Sequence, residues 1–188
     1  MEMFSTSDFR NGLKIELDGD PYTIVYFQAV NPGKGAAFTR TKLKNLISGL
    51  VLERTFKSGE KVKKPDLEET KMQYLYNDDS GFWFMNIESY EQICIPEEIL
   101  GDDKLLLIEN VEVGILLFNG RPIGLDFPNH MNFKITFCEP GLKGDTATGA
   151  TKPATLETGL VVNVPLFVNQ EDKIRIDTRT KEYIERVK

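Results

Sequence analysis

The sequence has 188 residues, of which 40% are hydrophobic and 28% are charged, and it carries a formal net charge of −6. This composition excludes an intrinsically disordered chain, and the length is enough for one large or two to three small globular domains. The longest apolar runs, such as residues 105–108 and 114–118, are far too short to cross a bilayer, which excludes a membrane-spanning helix.

In chain order, short runs of alternating apolar and polar residues are separated by turn residues, which is typical of β-strands. Residues 77–81 and Asn119-Gly120 are strong hairpin signals, and residues 96–100 predict one short helical turn with proline at its first position. We predict an all-β protein with strands over residues 13–17, 22–30, 36–43, 51–56, 72–76, 82–87, 90–95, 111–118, 121–125, 131–137, 160–168, 173–177 and 183–187.

Charged residues are distributed unevenly along this chain. Residues 1–64 hold 11 Lys and Arg against 7 Asp and Glu, a net charge of +4. Residues 65–130 hold 3 against 14, a net charge of −11, and residues 131–188 hold 9 against 8, a net charge of +1. The basic first part could contact phosphates, whereas the acidic middle part either faces a basic protein or serves solubility alone.

Composition suggests two domain boundaries. A basic stretch that ends in proline, residues 61–65, marks the first, and Pro128-Asn129-His130 marks the second. We therefore predict three domains, residues 1–64, 65–129 and 130–188, each of them small for a core of its own. About five short strands per domain fit small β-barrels, including oligonucleotide-binding types.

The most distinctive motif is a lysine between two glycines, Asn31-Pro32-Gly33-Lys34-Gly35, between two predicted strands. Pro32 fixes its own φ, and the glycines permit positive φ on either side of the lysine. The motif therefore predicts a hairpin tip that holds Lys34 away from bulky neighbours, as a probe of a narrow site would require.

Signals for enzymatic chemistry are weak. The single histidine, His130, lies beside a predicted boundary, and no Cys/His set has metal-ligand spacing. Gly33-Lys34 is not a nucleotide-binding loop, because Gly35 stands where Ser or Thr should follow and Gln28 where the leading glycine should be. We predict a protein that is not an enzyme and has no metal site.

The expected compartment is the cytoplasm. Residues 1–4 lack the basic start and long apolar core of a secretory signal. The two isolated cysteines, Cys94 and Cys138, are expected to stay reduced there rather than form a disulfide, and no association with a membrane is expected.

Two further stretches could contact nucleic acid. Residues 141–152 form a long loop of small and hydrogen-bonding residues, which could bind bases and sugars or could be an ordinary flexible loop. Basic residues surround an aromatic one near the end of the chain, which suits RNA contact and equally a solvated barrel rim. These residues are Arg175, Arg179, Lys181, Tyr183 and Arg186.

Over essentially its full length, the chain resembles bacterial translation elongation factor P. Four segments carry the resemblance: residues 7–15, residues 32–44 with the Lys34 hairpin, residues 74–85 with Tyr-Leu-Tyr-Asn-Asp and Phe-Trp-Phe-Met, and residues 140–167 with Gly-Leu-Lys-Gly-Asp-Thr and Val-Pro-Leu-Phe. One position departs from the family pattern, because Glu171 stands where the signature usually ends in glycine.

The resemblance implies three β-barrel domains, a KOW/SH3-like barrel followed by two OB-folds, in an L-shaped arrangement similar to tRNA. It implies a monomeric factor that binds the 70S ribosome and its ribosomal RNA beside P-site peptidyl-tRNA. The factor would stimulate peptide-bond formation and relieve stalling at consecutive prolines.

The resemblance also assigns roles to residues. Lys34, at a tip formed by Pro32, Gly33 and Gly35, would be extended by a modifying enzyme, commonly by β-lysylation, with no other cofactor. RNA-binding positions would be Arg40 and Lys42 on the following strand, Gly144, Asp145 and Thr146 beside the E-site mRNA codon, and Tyr183 and Arg186 near the anticodon arm and small subunit.

Three alternatives remain open at this stage. An elongation factor P-like paralogue shares the fold but usually departs at the hairpin tip, so Gly33-Lys34-Gly35 argues against it. A general single-strand-binding barrel would favour exposed aromatic platforms and tolerate any strand. An unassigned enzyme would require an activity that depends on one acidic residue.

Overall fold

The computed structural model describes residues 2–141 and 149–188, and most of these residues lie in β-strands. The strands are β1 (Met3–Ser5), β2 (Lys14–Leu17), β3 (Asp20–Val30), β4 (Phe38–Asn45), β5 (Val51–Lys57), β6 (Lys61–Lys63), β7 (Leu67–Asp78), β8 (Gly81–Asn86), β9 (Gln92–Ile95), β10 (Glu112–Phe118), β11 (Arg121–Asp126), β12 (His130–Cys138), β13 (Thr151–Leu156), β14 (Val161–Pro165), β15 (Lys173–Asp177) and β16 (Glu182–Val187). The described helices are α1 (Glu97–Leu100) and two 3-10 segments, Thr6–Asp8 and Gly101–Leu106. The predicted all-β class is confirmed.

The first sheet has six strands in the order β1-β6-β2-β3-β4-β5. Its core holds Ile15, Ile24, Leu43 and Phe56, which are completely buried. Phe9 meets Phe56 edge-on, with ring centroids 5.1 Å apart and an interplanar angle of 87°. Burial of these large side chains is the main stabilising contribution to a module of this size.

The second sheet has five strands in the order β11-β10-β7-β8-β9. Both predicted hairpins are present: Asp78 pairs with Gly81 across the first turn, and Asn119 and Gly120 have φ of 49° and 77° in the second. Two successive residues with positive φ are what a two-residue Asn-Gly loop favours.

The third sheet also has five strands, in the order β14-β13-β12-β15-β16. Its core includes Phe133, Ile135, Ile174 and Ile176, which are completely buried. Leu106, from the 3-10 segment Gly101–Leu106, belongs to the same core cluster. A segment that precedes β12 in the chain is therefore built into the core of this sheet.

The chain divides into two compact units, Met1–Thr70 with Ile115–Gly124 and Lys71–Gly114 with Leu125–Lys188. The three predicted domains, residues 1–64, 65–129 and 130–188, remain a prediction. Among the helices that the structure describes, none is long and apolar enough to cross a membrane.

Candidate nucleic-acid interface

The predicted hairpin tip is present between β3 and β4. The two strands pair from Tyr22 with Asn45 to Val30 with Phe38, and residues 31–37 connect them. Lys34 is exposed at the middle of this loop. Of the two flanking glycines, Gly35 has a positive φ of 111°, whereas Gly33 lies outside that region of backbone space.

Open space surrounds the tip. A Cβ added to Gly33 would meet no atom within 4 Å, and one added to Gly35 would meet only Pro32 Cγ, at 3.8 Å. In the part of the chain that the structure describes, no ion pair or side-chain hydrogen bond involves Lys34. A paired hairpin therefore presents an exposed lysine that has no ion-pair or side-chain hydrogen-bond partner among the described residues.

The strand below the tip has two distinct faces. Thr39, Thr41, Leu43 and Asn45 point inward and are buried, whereas the intervening residues of β4 are exposed. The period of two follows from strand geometry. The exposed set is Arg40, Lys42 and Lys44, a row of cations on one face that leads toward the loop with Lys34.

This basic row borders a surface groove of about 660 Å³. The groove is lined by Tyr26, Gln28, Arg40, Thr41, Lys42, Glu53, Arg54 and Thr55. Register explains their proximity, because Tyr26 and Gln28 pair with Lys42 and Arg40, which in turn pair with Glu53 and Thr55. Sequence reasoning identified Arg40 and Lys42 but missed Tyr26 and Gln28, whose pairing partners depend on a bulge between Ile24 and Tyr26.

The cations of this groove differ in how they are held. Lys42 lies 3.4 Å from Glu53, and Arg54 lies 3.8 Å from Asp18 and 3.6 Å from Glu60. The Arg40 guanidinium lies over the Phe38 ring, 5.4 Å from its centroid. No ion pair between described residues involves Arg40, so its charge is the one in the groove most available to a phosphate.

The C-terminal residues predicted to contact RNA lie on the edge strand β16. Tyr183 is half-buried and packs against the third core, so part of its role is structural. Arg186 lies 3.5 Å from Asp172 and 5.7 Å from the ring centroid of Phe167, which is 60% exposed. Together Arg186 and Phe167 form an exposed basic and aromatic pair.

The other basic residues near the C-terminus are bound to carboxylates. Arg175 pairs with Glu185 at 2.6 Å, Arg179 pairs with Asp177 at 2.6 Å, and Lys181 lies 3.5 Å from Asp103. These partners offset the positive charge of the cluster. For these three residues the geometry favours the solvated rim over an RNA surface.

Asp177 organises the turn that precedes β16. The side chain of Arg179, together with the backbone N–H groups of Arg179 and Thr180, holds the pKa of Asp177 well below its usual range. His130 Nε2 lies 4.0 Å from the same carboxylate.

Within the described ranges, no three His, Cys, Asp or Glu side chains are grouped to hold a metal ion.

Three predicted positions, Gly144, Asp145 and Thr146, lie outside the described residues, but both flanks of their segment are anchored. A Cβ at Gly141 would lie 2.7 Å from the carbonyl oxygen of Leu166, the residue that follows β14, so the backbone there approaches Leu166 too closely for a side chain. Lys152 is buried, and its Nζ donates a hydrogen bond of 2.6 Å to the Glu139 carbonyl.

At the position where the family signature has glycine, Glu171 has a φ of +73°. Its N–H donates to the Ile135 carbonyl at 2.9 Å, and its carboxylate lies 2.6 Å from Lys134 Nζ. The hydrogen bond and charge of Glu171 raise the pKa of Lys134. The substitution therefore keeps a left-handed turn, which glycine would form at a lower conformational cost.

Three family models match the chain in succession. They are the elongation factor P KOW-like domain over residues 5–62, the elongation factor P OB domain over residues 67–125, and the elongation factor P C-terminal domain over residues 131–186. The first two descriptions agree with the predicted KOW-like barrel followed by an OB-fold.

Curated relatives match over nearly their whole length. The chain is 55% identical over 185 residues to an elongation factor P of Bdellovibrio bacteriovorus, covering 98% of both chains. It is 54% identical over 184 residues to an elongation factor P of Moorella thermoacetica, covering 98% of this chain and 100% of that relative.

Solved structures support the fold. A translation initiation factor 5A from Methanococcus jannaschii aligns with a TM-score of 0.52 and 24% identity, over 64% of this chain and 89% of that one. A translation initiation factor 5A family protein from Naegleria fowleri aligns with a TM-score of 0.53 and 12% identity, over 67% and 98%. With matched domains along the whole chain and relatives more than half identical, the chain belongs to the elongation factor P family of translation elongation factors.

Proposed function

We propose that this chain binds the 70S ribosome beside P-site peptidyl-tRNA and stimulates peptide-bond formation, relieving stalling at consecutive prolines. The observation that carries the proposal is the exposed Lys34 at the open, glycine-flanked end of a long paired hairpin. In this proposal Lys34 extends toward the peptidyl-transferase centre, where only a slender probe fits.

The proposed mechanism is one of positioning. Proline is a rigid and poor nucleophile, so the reacting ends of the two tRNAs are badly placed for attack. A factor that orders the peptidyl-tRNA end lowers the entropic part of the activation barrier. Orientation effects of this kind can lower a barrier by up to about 7–11 kcal/mol. Such a factor needs to contribute no acid, base or metal of its own.

Lys34 is proposed to be the site of covalent extension, with β-lysylation as the expected modification. A modifying enzyme needs the ε-amino group to be accessible, and Lys34 is exposed between two glycines that place no side chain beside it. An added amine lengthens the side chain and supplies further donors to RNA phosphates and riboses.

The basic row of β4 is proposed to bind RNA near the tip. Arg40 and Lys42 carry charge toward phosphates, and Tyr26 offers a ring that is 45% exposed. Elsewhere, Gly144, Asp145 and Thr146 are proposed to approach the E-site mRNA codon, and Tyr183 and Arg186 the tRNA anticodon arm. Under this proposal the factor acts as a cytoplasmic monomer whose outline mimics tRNA.

Translation of a triple-proline reporter in a reconstituted system tests the proposal. Protein purified from its native cells should relieve stalling, and a Lys34→Ala variant should not. Lys14→Ala is the matched control, because Lys14 is also an exposed lysine of the first sheet but lies on β2. Loss of rescue in both variants, or in neither, would contradict a role for the tip.

A comparison of protein from native cells with unmodified recombinant protein tests the modification. Mass spectrometry of the peptide that contains Lys34 should show an added mass only in the native material. Salt-dependent affinity for free oligonucleotides equal to that for ribosomes would instead support a general single-strand-binding protein.

A further inference from the structure

An aromatic surface lies on the outer side of the second sheet. Trp83, the only tryptophan of the chain, is on β8 between Phe82 and the fully buried Phe84. Side chains alternate along a strand, so Trp83 points away from the core that receives Phe84. Three neighbours share this outer side, and we call the set Tyr76, Trp83, Met85 and Cys94 the Trp83 face.

The face is ordered although it lies outside the core. Tyr76 pairs with Trp83 across β7 and β8, and their rings are stacked with centroids 6.2 Å apart and an interplanar angle of 23°. Trp83 Nε1 donates a hydrogen bond of 2.9 Å to Asp78 Oδ2. Tyr76 nonetheless remains 50% exposed. Two rings and a carboxylate are thus held in place at a surface outside the buried core.

Residues of these types are common at the centres of protein interfaces. Tryptophan, tyrosine and methionine are enriched there, and tryptophan and tyrosine supply much of the binding energy. The core already has its own aromatic residues on the inner side, Tyr74 and Phe84. The stacked pair on the outer side is separate from these core residues, and half of Tyr76 is exposed to a partner.

Charge identifies the kind of partner. Residues 65–130 have a net charge of −11, and the turn beside the face exposes Asp78 and Asp79. This acidic environment repels phosphates, although the same face of an OB-fold is a common nucleic-acid site. It attracts cations, and Trp and Tyr rings bind guanidinium and ammonium groups through cation–π contacts.

We propose that the Trp83 face docks a basic segment of a protein partner, with Arg or Lys side chains laid on the rings of Tyr76 and Trp83 and paired with Asp78. Apolar side chains of the same segment would cover Met85 and Cys94. The proposal depends on β7, β8 and β9 alone and not on the ribosomal role of Lys34, so each can fail without the other.

The sole tryptophan makes the test direct, because emission from the full-length protein reports on this face alone. The probes are a dodecapeptide of alternating arginine and leucine, its glutamate–leucine counterpart, and a dodecamer of uridylate. We expect a saturable change in Trp83 emission with the arginine peptide only, and weaker binding as salt is raised. No response to that peptide, or an equal response to the uridylate, would overturn the proposal.

Variants separate the rings from the charge. Tyr76→Ala should weaken binding of the arginine peptide about tenfold, whereas Tyr76→Phe, which keeps the ring, should retain it. Asp78→Asn removes the charge and should also weaken binding; its single side-chain oxygen can accept from Trp83 Nε1 or from the Ser80 N–H, whereas Asp78 accepts from both. Glu182→Gln, which removes an exposed acid from β16, is the charge control. Equal affinity in Tyr76→Ala and wild type, with unchanged thermal unfolding, would overturn the assignment.

Discussion

Glu171 and Lys134 form an ion pair of 2.6 Å at a turn where Glu171 adopts a φ of +73°. The backbone at this turn is the left-handed conformation that glycine adopts without strain. A residue with a Cβ is therefore strained at this position, but the side chain of the same residue makes a favourable contact with Lys134. Solvent screens an exposed pair of this kind, so the contact offsets at most part of the conformational cost of about 1–2 kcal/mol.

Substitutions at Glu171 should separate the two effects. Glu171→Gln removes the charge and keeps the strain, whereas Glu171→Gly removes both. Because glycine relieves the strain but costs backbone entropy, we expect Glu171→Gly to be more stable than Glu171→Gln by about 0.5–1 kcal/mol. Denaturant unfolding measures the difference. A glycine variant less stable than the glutamine variant would show that the turn carries no strain.

Sequence patterns identified long, strongly alternating elements and failed where pairing across the chain defines the strand. The β3–β4 hairpin was predictable because its glycine-containing loop lies between two alternating runs. The three-residue strands β1 and β6 were missed, since they are defined by pairing across the chain: Met3 pairs with Lys63, Ser5 with Lys61, and Lys63 also with Glu16 of β2. Three residues are too few to display a period of two.

Strand β13 was missed for a different reason. It contains Pro153, which argues against a central strand because proline cannot donate to the ladder. The structure resolves the conflict: pairing with β12 involves Ala154, Thr155 and Leu156 but not Pro153. The proline lies just beyond that ladder, where it pairs with Asn163 of β14 alone.

The candidate site was partly predictable. Lys34, Arg40 and Lys42 could be identified because their residue types and spacing are visible in the sequence. The contribution of Tyr26 and the difference between free Arg40 and paired Lys42 could not, because both depend on which residues lie opposite in the sheet.

Asp177 should make stability depend on pH in the acid range. Because the folded state lowers the pKa of this carboxyl, its stabilisation is present above the unfolded-state value, about 3.9, and is lost as pH falls below it. The melting temperature of the wild type should therefore fall more steeply than that of Asp177→Asn as the pH is lowered from about 4 to about 2. Arg179→Gln removes the largest cause of the shift but keeps the backbone donors of residues 179 and 180, so its profile should lie between those of the wild type and Asp177→Asn.

Asp79→Asn is the control for that pH profile, since Asp79 is an exposed turn carboxylate with no hydrogen bond among the described contacts. Its profile should follow the wild type. A profile for Asp177→Asn as steep as that of the wild type would show that the turn gains nothing from the ionised carboxylate.

Gly81 should not tolerate a side chain. A Cβ there would lie 2.6 Å from the Ile95 carbonyl oxygen and 3.1 Å from Cys94 Sγ, and φ is +141°. We expect Gly81→Ala to lower the free energy of unfolding by about 2–4 kcal/mol, because β9 would have to move. Gly124→Ala is the control, since no atom lies within 4 Å of its added Cβ. Equal effects in the two variants, measured by denaturant unfolding, would contradict the close approach.

Arg40 and Lys42 should contribute unequally to RNA binding if the basic row contacts phosphates as proposed. Lys42 already lies 3.4 Å from Glu53, whereas Arg40 has no carboxylate partner in the described part of the chain. Arg40→Ala should therefore weaken ribosome binding about five- to tenfold and lower the slope of affinity against salt by about one, with a smaller effect from Lys42→Ala.

Binding to purified ribosomes at several salt concentrations measures both quantities. Arg54→Gln is the matched control, because Arg54 borders the same groove but is held between Asp18 and Glu60. Arg40→Lys should recover the salt slope, since it restores the charge at the same position on β4. Equal losses in Arg40→Ala and Arg54→Gln would mean that the groove responds to net charge alone, and the placement of Arg40 against a phosphate would be wrong.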